Sequence, residues 1–342
     1  MRTTAPGRVA VARVRQGLPL NGPTRARVAD GPSSPDGPFL FFTPFTPRTV
    51  LRIALPNKGR LSDDTRALFA DAGLEVRSSG DRALTALLGG EFAAIFVRSQ
   101  DISEFVADGA ADAGVTGWDL VAESERKLDT LLDLEFGRCR LVVAARDDSG
   151  ITSLQDIKST TRGIPRVATA FPRITRRFFA GIAIPVEIVP VSGAAEVAPH
   201  LGIADIIVDL TSTGSTLKVN GLREIGTVLE STAQLVAAPR ADSSLDAEQR
   251  SALNDLVTAL GSVLRARGKR YLMANVPRAA LDRVKEVIPG LNGPTVIDIL
   301  NGGAIVAVHA VVPAASIYRT IAALKALGAE GILVTRIERL MP

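Results

Sequence analysis

From Leu51 onward the chain alternates short apolar runs with amphipathic stretches, and this alternation limits its possible folds more than any other feature. LRIALP (51–56), FAAIFVR (92–98), DAGVTG (112–117) and CRLVVAAR (139–146) are too short for buried helices and rich in β-branched and small residues. Between them lie stretches with helical spacing. The first has a helix start at Ser62, Asp63 and Asp64, a capping hydroxyl and two acids at the positive end of the helix dipole. Further helices are expected from Asp101 and Trp118. After the DDSG turn at 147–150, PRVATAF, a helix over 174–181, PVEIVPV, a helix over 193–201 and ADIIVDL (204–210) repeat the pattern. Such alternation predicts parallel sheets covered by helices, with ligands at the carboxyl ends of strands. Two successive units of this kind predict two lobes around a cleft.

Beyond about residue 243 the pattern changes. A long helical stretch, LDAEQRSALNDLVTALGSVLRARG (245–268), leads into a tail with a helix over 279–288, a Pro-Gly turn at 289–290, a strand at 304–312, a helix over 314–327 and a strand at 331–337. That order resembles a small ferredoxin-like βαββαβ unit, of a size suited to regulation or oligomerisation. The cations Arg265, Arg267, Lys269 and Arg270 could form a nucleic-acid patch, but their place at a helix end before Gly268 suits the dipole better.

Charge needs to be read by position. The 342 residues carry 40 Lys and Arg against 36 Asp and Glu, a net +4, and the pI is near 9.5. Residues 1–50 hold seven Arg and two Asp, which leaves 33 cations against 34 anions in the rest, a net −1. The basicity belongs to one segment, so it does not argue for a nucleic-acid partner. That segment also has eight of the 20 prolines and no sustained periodicity, and it reads as disordered. It has the Arg-rich character of a transit peptide, lacks the apolar core of a secretory signal, and is equally readable as sequence upstream of a true start near Val50. No run is long enough to cross a bilayer. One cysteine, Cys139, forms no internal disulfide, and with only His200 and His309 beside it a structural zinc site or a His-based triad is unsupported. Cys139 reads as core and His200 as a cap or surface residue.

Three places could carry chemistry. In the first, a buried strand ends in Asp209 and is followed by Thr211, Ser212, Thr213, Gly214, Ser215 and Thr216 before a helix. Hydroxyls and backbone N–H groups there could cradle a phosphate monoester, and Gly214 permits close approach. Asp209 would accept hydrogen bonds from vicinal ribose hydroxyls. The same residues could also be an ordinary capped βα loop. In the second, Lys58, Gly59 and Arg60 follow the first strand, either as a solvated turn or as cations facing a polyphosphate. In the third, Arg98, and then Gly117, Trp118, Asp119 and Leu120, follow two further strands, so three strand ends converge on one edge. Trp118 is either a packing residue or a base contact. No Walker A or Gly-x-Gly-x-x-Gly pattern occurs.

LRIALPNKGRLS, RSQDI, GVTGWDLV, ATAFPRITRRF and the spacing E-x5-G-x-A-x2-I-x-D-L-x2-TG-x-TL at 196–217 together resemble the ATP phosphoribosyltransferases that open histidine biosynthesis. The resemblance covers 51–342, and the trailing domain is similar to the long form's own histidine-sensing module. It implies an α/β chain with a two-lobed, type II periplasmic-binding-protein-like catalytic region and a ferredoxin-like, ACT-like regulatory domain. The first lobe would be 51–143 with 224–268 returning to it, the second lobe 144–223, and the regulatory domain 269–342. It further implies transfer of the phosphoribosyl group of PRPP to N1 of ATP, with Mg²⁺ held mainly by substrate oxygens. Carried over by position, Asp209 would hold the ribose and the residues at 211–216 the 5′-phosphate. Lys58, Arg60 and Arg98 would neutralise phosphate charge, while Gly59, Gly117, Trp118, Asp119 and Leu120 would border the ATP. Histidine as inhibitor, a homo-oligomer (dimer or hexamer), no nucleic-acid or membrane partner and a cytoplasmic location complete the expectation. A two-lobed small-molecule binding protein is the alternative, discriminated by its lack of need for pyrophosphate-neutralising cations.

Overall fold

The computed structural model describes residues 50–77, 83–161, 163–239, 244–300 and 303–341. The readings made for residues 1–49 lie outside them. The described chain begins with β1 (Arg52–Pro56) and α1 (Arg60–Asp71), then β2 (Val76–Arg77), β3 (Thr85–Leu88) and β4 (Phe92–Val97). Next come α2 (Ile102–Ala107), β5 (Ala113–Gly117), α3 (Trp118–Ser124) and β6 (Asp129–Asp133). A second series follows: β7 (Cys139–Arg146), α4 (Asp156–Thr160), β8 (Arg166–Thr169), α5 (Pro172–Gly181), β9 (Glu187–Pro190), β10 (Ile206–Thr211), α6 (Ser215–Val219) and β11 (Leu222–Ser231). The chain then returns through β12 (Ala233–Ala237) and α7 (Ala247–Ala266).

These strands form two sheets, one ordered β2-β3-β4-β1-β5-β12-β6 and one ordered β11-β7-β10-β8-β9. Each contains the same plan. Three parallel strands in the order second, first, third are followed by the strand that has just crossed from the other sheet, set antiparallel, and then by a fourth. In the first sheet this is β4-β1-β5-β12-β6, with β12 antiparallel to β5. In the second it is β9-β8-β10-β7-β11, with β7 antiparallel to β10. This is the two-lobed, type II periplasmic-binding-protein-like arrangement, so the sheets are mixed rather than wholly parallel. The central strands β1 and β5 are almost wholly buried, which explains why they read as continuous apolar runs without alternation.

Sheet membership places both crossings differently from the sequence reading. Cys139–Arg146 pairs along its length with β10 and β11, so the chain enters the second sheet before residue 139, not at 144. It leaves after Ser231, not at 224. The apolar pattern is the same in either sheet, and only the pairing decides. Two helix expectations also change. α1 starts at Arg60, because Gly59 takes φ 89 and the Ser62 N–H bonds the Gly59 carbonyl at 3.1 Å; Ser62 is buried rather than a cap. The helix expected over 193–201 is one 3₁₀ turn, Ala195–Val197. Ala194 is left-handed at φ 51, and Pro199 has no N–H to continue a helix.

α7 is fixed at its start by a capping box between Asp246 and Gln249. Its Leu253, Leu256, Leu260, Val263 and Leu264 join the core of the first sheet, so this segment packs with the first lobe. The third sheet is β13 (Lys269–Pro277), β14 (Thr295–Asp298), β15 (Ile305–Pro313) and β16 (Glu330–Arg336), with α8 (Leu281–Val287) and α9 (Ile317–Ala326) as its helices. Its order, β14-β15-β13-β16, with all neighbours antiparallel, is ferredoxin-like. Leu272, Ala274 and Val276 alternate inward to meet Val306, Val308 and Val312 in a core of their own. Among the described residues no helix is long and apolar enough to cross a membrane.

Candidate active site

The carboxyl ends of β4, β1 and β5 lie side by side. Pro56 is opposite Val97, and β5 runs parallel on the other flank of β1. The Asn57 N–H bonds the Val97 carbonyl at 2.9 Å, and the Thr116 hydroxyl donates to the Ser99 carbonyl at 2.8 Å. Lys58, Gly59 and Arg60, Arg98, and Gly117 with Trp118 are thereby brought to one edge of the first sheet. Lys58, Arg60 and Arg98 are all exposed. Arg60 leans toward the crossing, where its Nη2 donates to Cys139 Sγ at 3.3 Å. Cys139 is buried as expected, and it also anchors one of the cations.

Between the two sheets lies an open cleft of about 640 Å³. Trp118 forms one wall and Ser212 faces it from the loop after β10, while Arg138, Arg140, Glu230 and Thr232 come from the two crossing segments. Arg140 is paired with Glu224, Nη2 to Oε2 at 3.0 Å. Asp133 also lines the cleft, with its oxygens accepting from the Glu135 N–H at 2.8 Å and the Thr232 hydroxyl at 2.9 Å. None of the crossing-segment residues was singled out from the sequence. The only signal was the Arg-Cys-Arg run at 138–140, which gains meaning once those residues are known to lie where the lobes join.

Asp119 departs from its expected place against a ligand. It is 3% exposed, and Ser231 holds it from both sides: the hydroxyl donates to Asp119 Oδ1 at 2.6 Å and accepts from the Asp119 N–H at 3.0 Å. Its carboxylate sits over Gly117, where a Cβ would come within 2.3 Å of Oδ1. Burial on this scale requires a partner, so Asp119 supports the wall that carries Trp118. Leu120 is also turned away, toward the core of the second sheet.

Across the cleft, β10 ends in the hydroxyl-rich turn. Thr211 is buried at its base, and its Oγ1 accepts from the Gly214 N–H at 2.8 Å. Gly214 has φ 76, and nothing within 4 Å crowds its open side. Thr213 and Ser215 share a hydroxyl contact of 2.9 Å. Ser212, Thr213, Ser215 and Thr216 are exposed, so the turn presents oxygens and backbone outward. Asp209, two residues before Thr211, is partly buried. Burial pushes its carboxyl above the usual range, the Leu210 N–H donating to Oδ1 at 2.8 Å works against that, and the nearby Glu196 carboxylate adds to the rise. His200 is exposed, with its Nε2 2.7 Å from the Asn220 carbonyl.

Residues 98–262 match the family model of ATP phosphoribosyltransferase, HisG, and residues 266–339 match the model of the HisG C-terminal domain. An ATP phosphoribosyltransferase of Gemmatimonas aurantiaca is 70% identical over 293 residues, covering 86% of this chain and 100% of that protein. One of Natronomonas pharaonis is 48% identical over 293 residues, covering 85% and 100%. Among solved structures, the ATP phosphoribosyl transferase (HisG:HisZ) complex from Thermotoga maritima aligns with a TM-score of 0.53 at 27% identity, covering 62% of this chain and 97% of that one. Carrying both matched regions, the chain belongs to the ATP phosphoribosyltransferase family, in its long form.

Proposed function

We propose that the cleft where the two lobes join is the place at which this chain transfers the 5-phosphoribosyl group of PRPP to N1 of ATP, releasing diphosphate in the first step of histidine biosynthesis. The observation that supports the placement is one open cleft with Trp118, at the end of β5, on one side and Ser212, from the hydroxyl turn after β10, on the other, with the two cation-bearing strand ends, of β1 and β4, beside β5 in the first sheet. Asp209 accepts the ribose hydroxyls. The backbone and hydroxyls of residues 211–216 take the 5′-phosphate, with Gly214 allowing close approach. Lys58, Arg60 and Arg98 meet the diphosphate and triphosphate oxygens, and Gly59 gives the turn that lets two of them follow one strand. The indole of Trp118 borders the adenine, on the wall that Gly117 and Asp119 shape.

In this transfer the N1 lone pair forms a bond to C1 of the ribose while the bond from C1 to the diphosphate oxygen breaks. The sugar carbon becomes cation-like on the way. The chain's residues contribute by holding nucleophile and leaving group in line and by placing positive charge where the leaving oxygens gain negative charge. The family uses Mg²⁺. Among the described residues no three His, Cys, Asp or Glu side chains gather to hold a metal. Magnesium is ordinarily held through substrate phosphates with one or two carboxylates, and Asp133 and Glu230 in the cleft are donors of that kind. When bound, it neutralises charge on the departing diphosphate. The third domain is the site of histidine inhibition, the enzyme is a homo-oligomer, and it works in the cytoplasm.

Incubation with ATP, PRPP and Mg²⁺, followed by the absorbance of N1-alkylated adenine, tests the activity. Asp209→Ala and Arg60→Ala should cripple turnover with the fold intact. Wild-type activity in both would overturn the residue assignment.

A further inference from the structure

Helix α5 lacks a cap from its own segment. Phe171 stands at the N-cap position, where a side-chain acceptor is favoured, and supplies none. The acceptor comes from the first lobe. Glu123, near the end of α3, sets both carboxylate oxygens against the start of α5: Oε1 accepts from the Arg173 N–H at 3.0 Å and Oε2 from the Ile174 N–H at 3.0 Å. The reverse contact is also made. The last carbonyls of α3 and the residue before it accept from guanidinium groups of α5: Glu123 and Ser124 from Arg173 at 3.1 Å each, and Ala122 from Arg177 at 3.3 Å. Each helix end is therefore satisfied by the other lobe, an anion at one N-terminus and cations at the other C-terminus. Leu120 and Ala122 pack against the core of the second sheet. By chain order α3 follows a first-sheet strand, and by packing it is keyed into the second.

We infer that Glu123 is a positioning residue for the transfer: by capping α5 across the lobe boundary it fixes the angle between the wall carrying Trp118 and the turn after β10 that faces it. The inference rests on the assignment of PRPP to that turn and of ATP to the first-sheet edge. The ribose and 5′-phosphate of PRPP are then anchored on the second lobe and the adenine of ATP on the first, and the reacting atoms meet only when the lobes keep their angle. A loosened clamp leaves PRPP anchored by its sugar and 5′-phosphate and misplaces its C1 against the adenine.

The test uses the full-length chain with Glu123→Gln and Arg173→Met, alone and together. Gln keeps one acceptor and turns an amide NH₂ toward the second N–H, while Met removes the guanidinium contacts and keeps the backbone N–H. Saturating kcat, PRPP affinity by calorimetry without ATP, and thermal midpoint are measured. Because a misplacement of about 1 Å costs on the order of 100-fold in rate, kcat of Glu123→Gln should fall at least about 30-fold with PRPP affinity within about two-fold of wild type. The Arg173→Met variant should fall in the same direction, and the double variant should fall no further than the worse single, since both act through one contact. A kcat within about two-fold of wild type alongside a lowered midpoint would show a purely structural cap and overturn the inference, as would effects of the two substitutions that multiply. Should Glu123→Gln not fold, Arg173→Met carries the same test. Undiminished PRPP affinity in Asp209→Ala would instead overturn the substrate assignment, a result read from binding and separate from kcat.

Discussion

Replacing Asp209 with Asn should make the protein more stable and nearly inactive, and the two effects have separate causes. The carboxyl is pushed up by burial, with the Glu196 carboxylate adding to the rise. Asn keeps an oxygen for the Leu210 N–H, now bonded at 2.8 Å, and removes the charge. No hydrogen bond is lost, so relief of the buried charge should add about 0.5–2 kcal/mol, the usual yield of a single stabilising substitution. At about 2 °C per kcal/mol for a body of this size, the midpoint should rise by about 1–4 °C. The pH dependence has a definite sign. The folded pKa is raised, so the wild type loses stability relative to the Asn variant as pH climbs from the unfolded value of about 3.9 through the raised folded value. The advantage of Asn should therefore be near zero at pH 3.5, open on the way up, and stay constant above the folded value. Catalysis moves the other way. Two charge-assisted bonds to ribose hydroxyls become one neutral bond and one mismatch, a loss of about 2–4 kcal/mol, or roughly 30- to 900-fold in kcat/KM for PRPP. Thermal melts across pH, with steady-state turnover at neutral pH, read both. A midpoint at or below wild type at pH 8 refutes the burial argument, and a kcat/KM within about three-fold refutes the ribose contact.

Ser231→Ala strips Asp119, 3% exposed, of its hydroxyl donor, and urea unfolding should show a loss of about 2–4 kcal/mol; a change below about 0.5 kcal/mol would mean that the carboxylate finds another partner. Gly117→Ala brings a Cβ within 2.3 Å of the same carboxylate oxygen and should destabilise by displacing it, so the double variant with Ser231→Ala should lose less stability in urea unfolding than the sum of the two single losses. Ending the chain before β13 removes a domain with its own core, and turnover should persist while histidine no longer inhibits; unchanged inhibition would place the histidine site elsewhere.

The sequence was most legible where the determinants are local. The runs at 51–56, 92–98, 112–117 and 139–146 are strands within one residue of their expected ends, because short β-branched runs bounded by polar turns admit little else. The stretch after Asp209 was legible as a turn before a helix, with Gly214 at φ 76 and α6 beginning at Ser215, because small and hydroxylated residues favour such turns. What escaped depends on long-range pairing. Ala233–Ala237 is buried throughout, yet nothing in AQLVA says that it lies between β5 and β6. The cleft residues Arg138, Arg140 and Glu230 escaped for the same reason, as they matter only because the chain crosses there. The burial of Asp119 was not legible, since spacing along a helix cannot show that Ser231, 112 residues later, draws the carboxylate inward. Arg265 stands in the last turn of α7, where a cation complements the dipole, and its Nε also donates to the Leu340 carbonyl at 3.1 Å, a partner that no local pattern reveals.

The place of β12 also constrains how the chain can be made. It lies between β5 and β6, and β6 pairs with it along Asp129–Asp133. As the polypeptide leaves the ribosome, β6 emerges about a hundred residues before the strand that joins it to its sheet, and β5 waits with one flank uncovered. The second lobe must be synthesised in full before the first can close. Early collapse should therefore favour the second lobe, and a chain stalled before residue 233 should expose an open strand edge that invites aggregation or a holding chaperone.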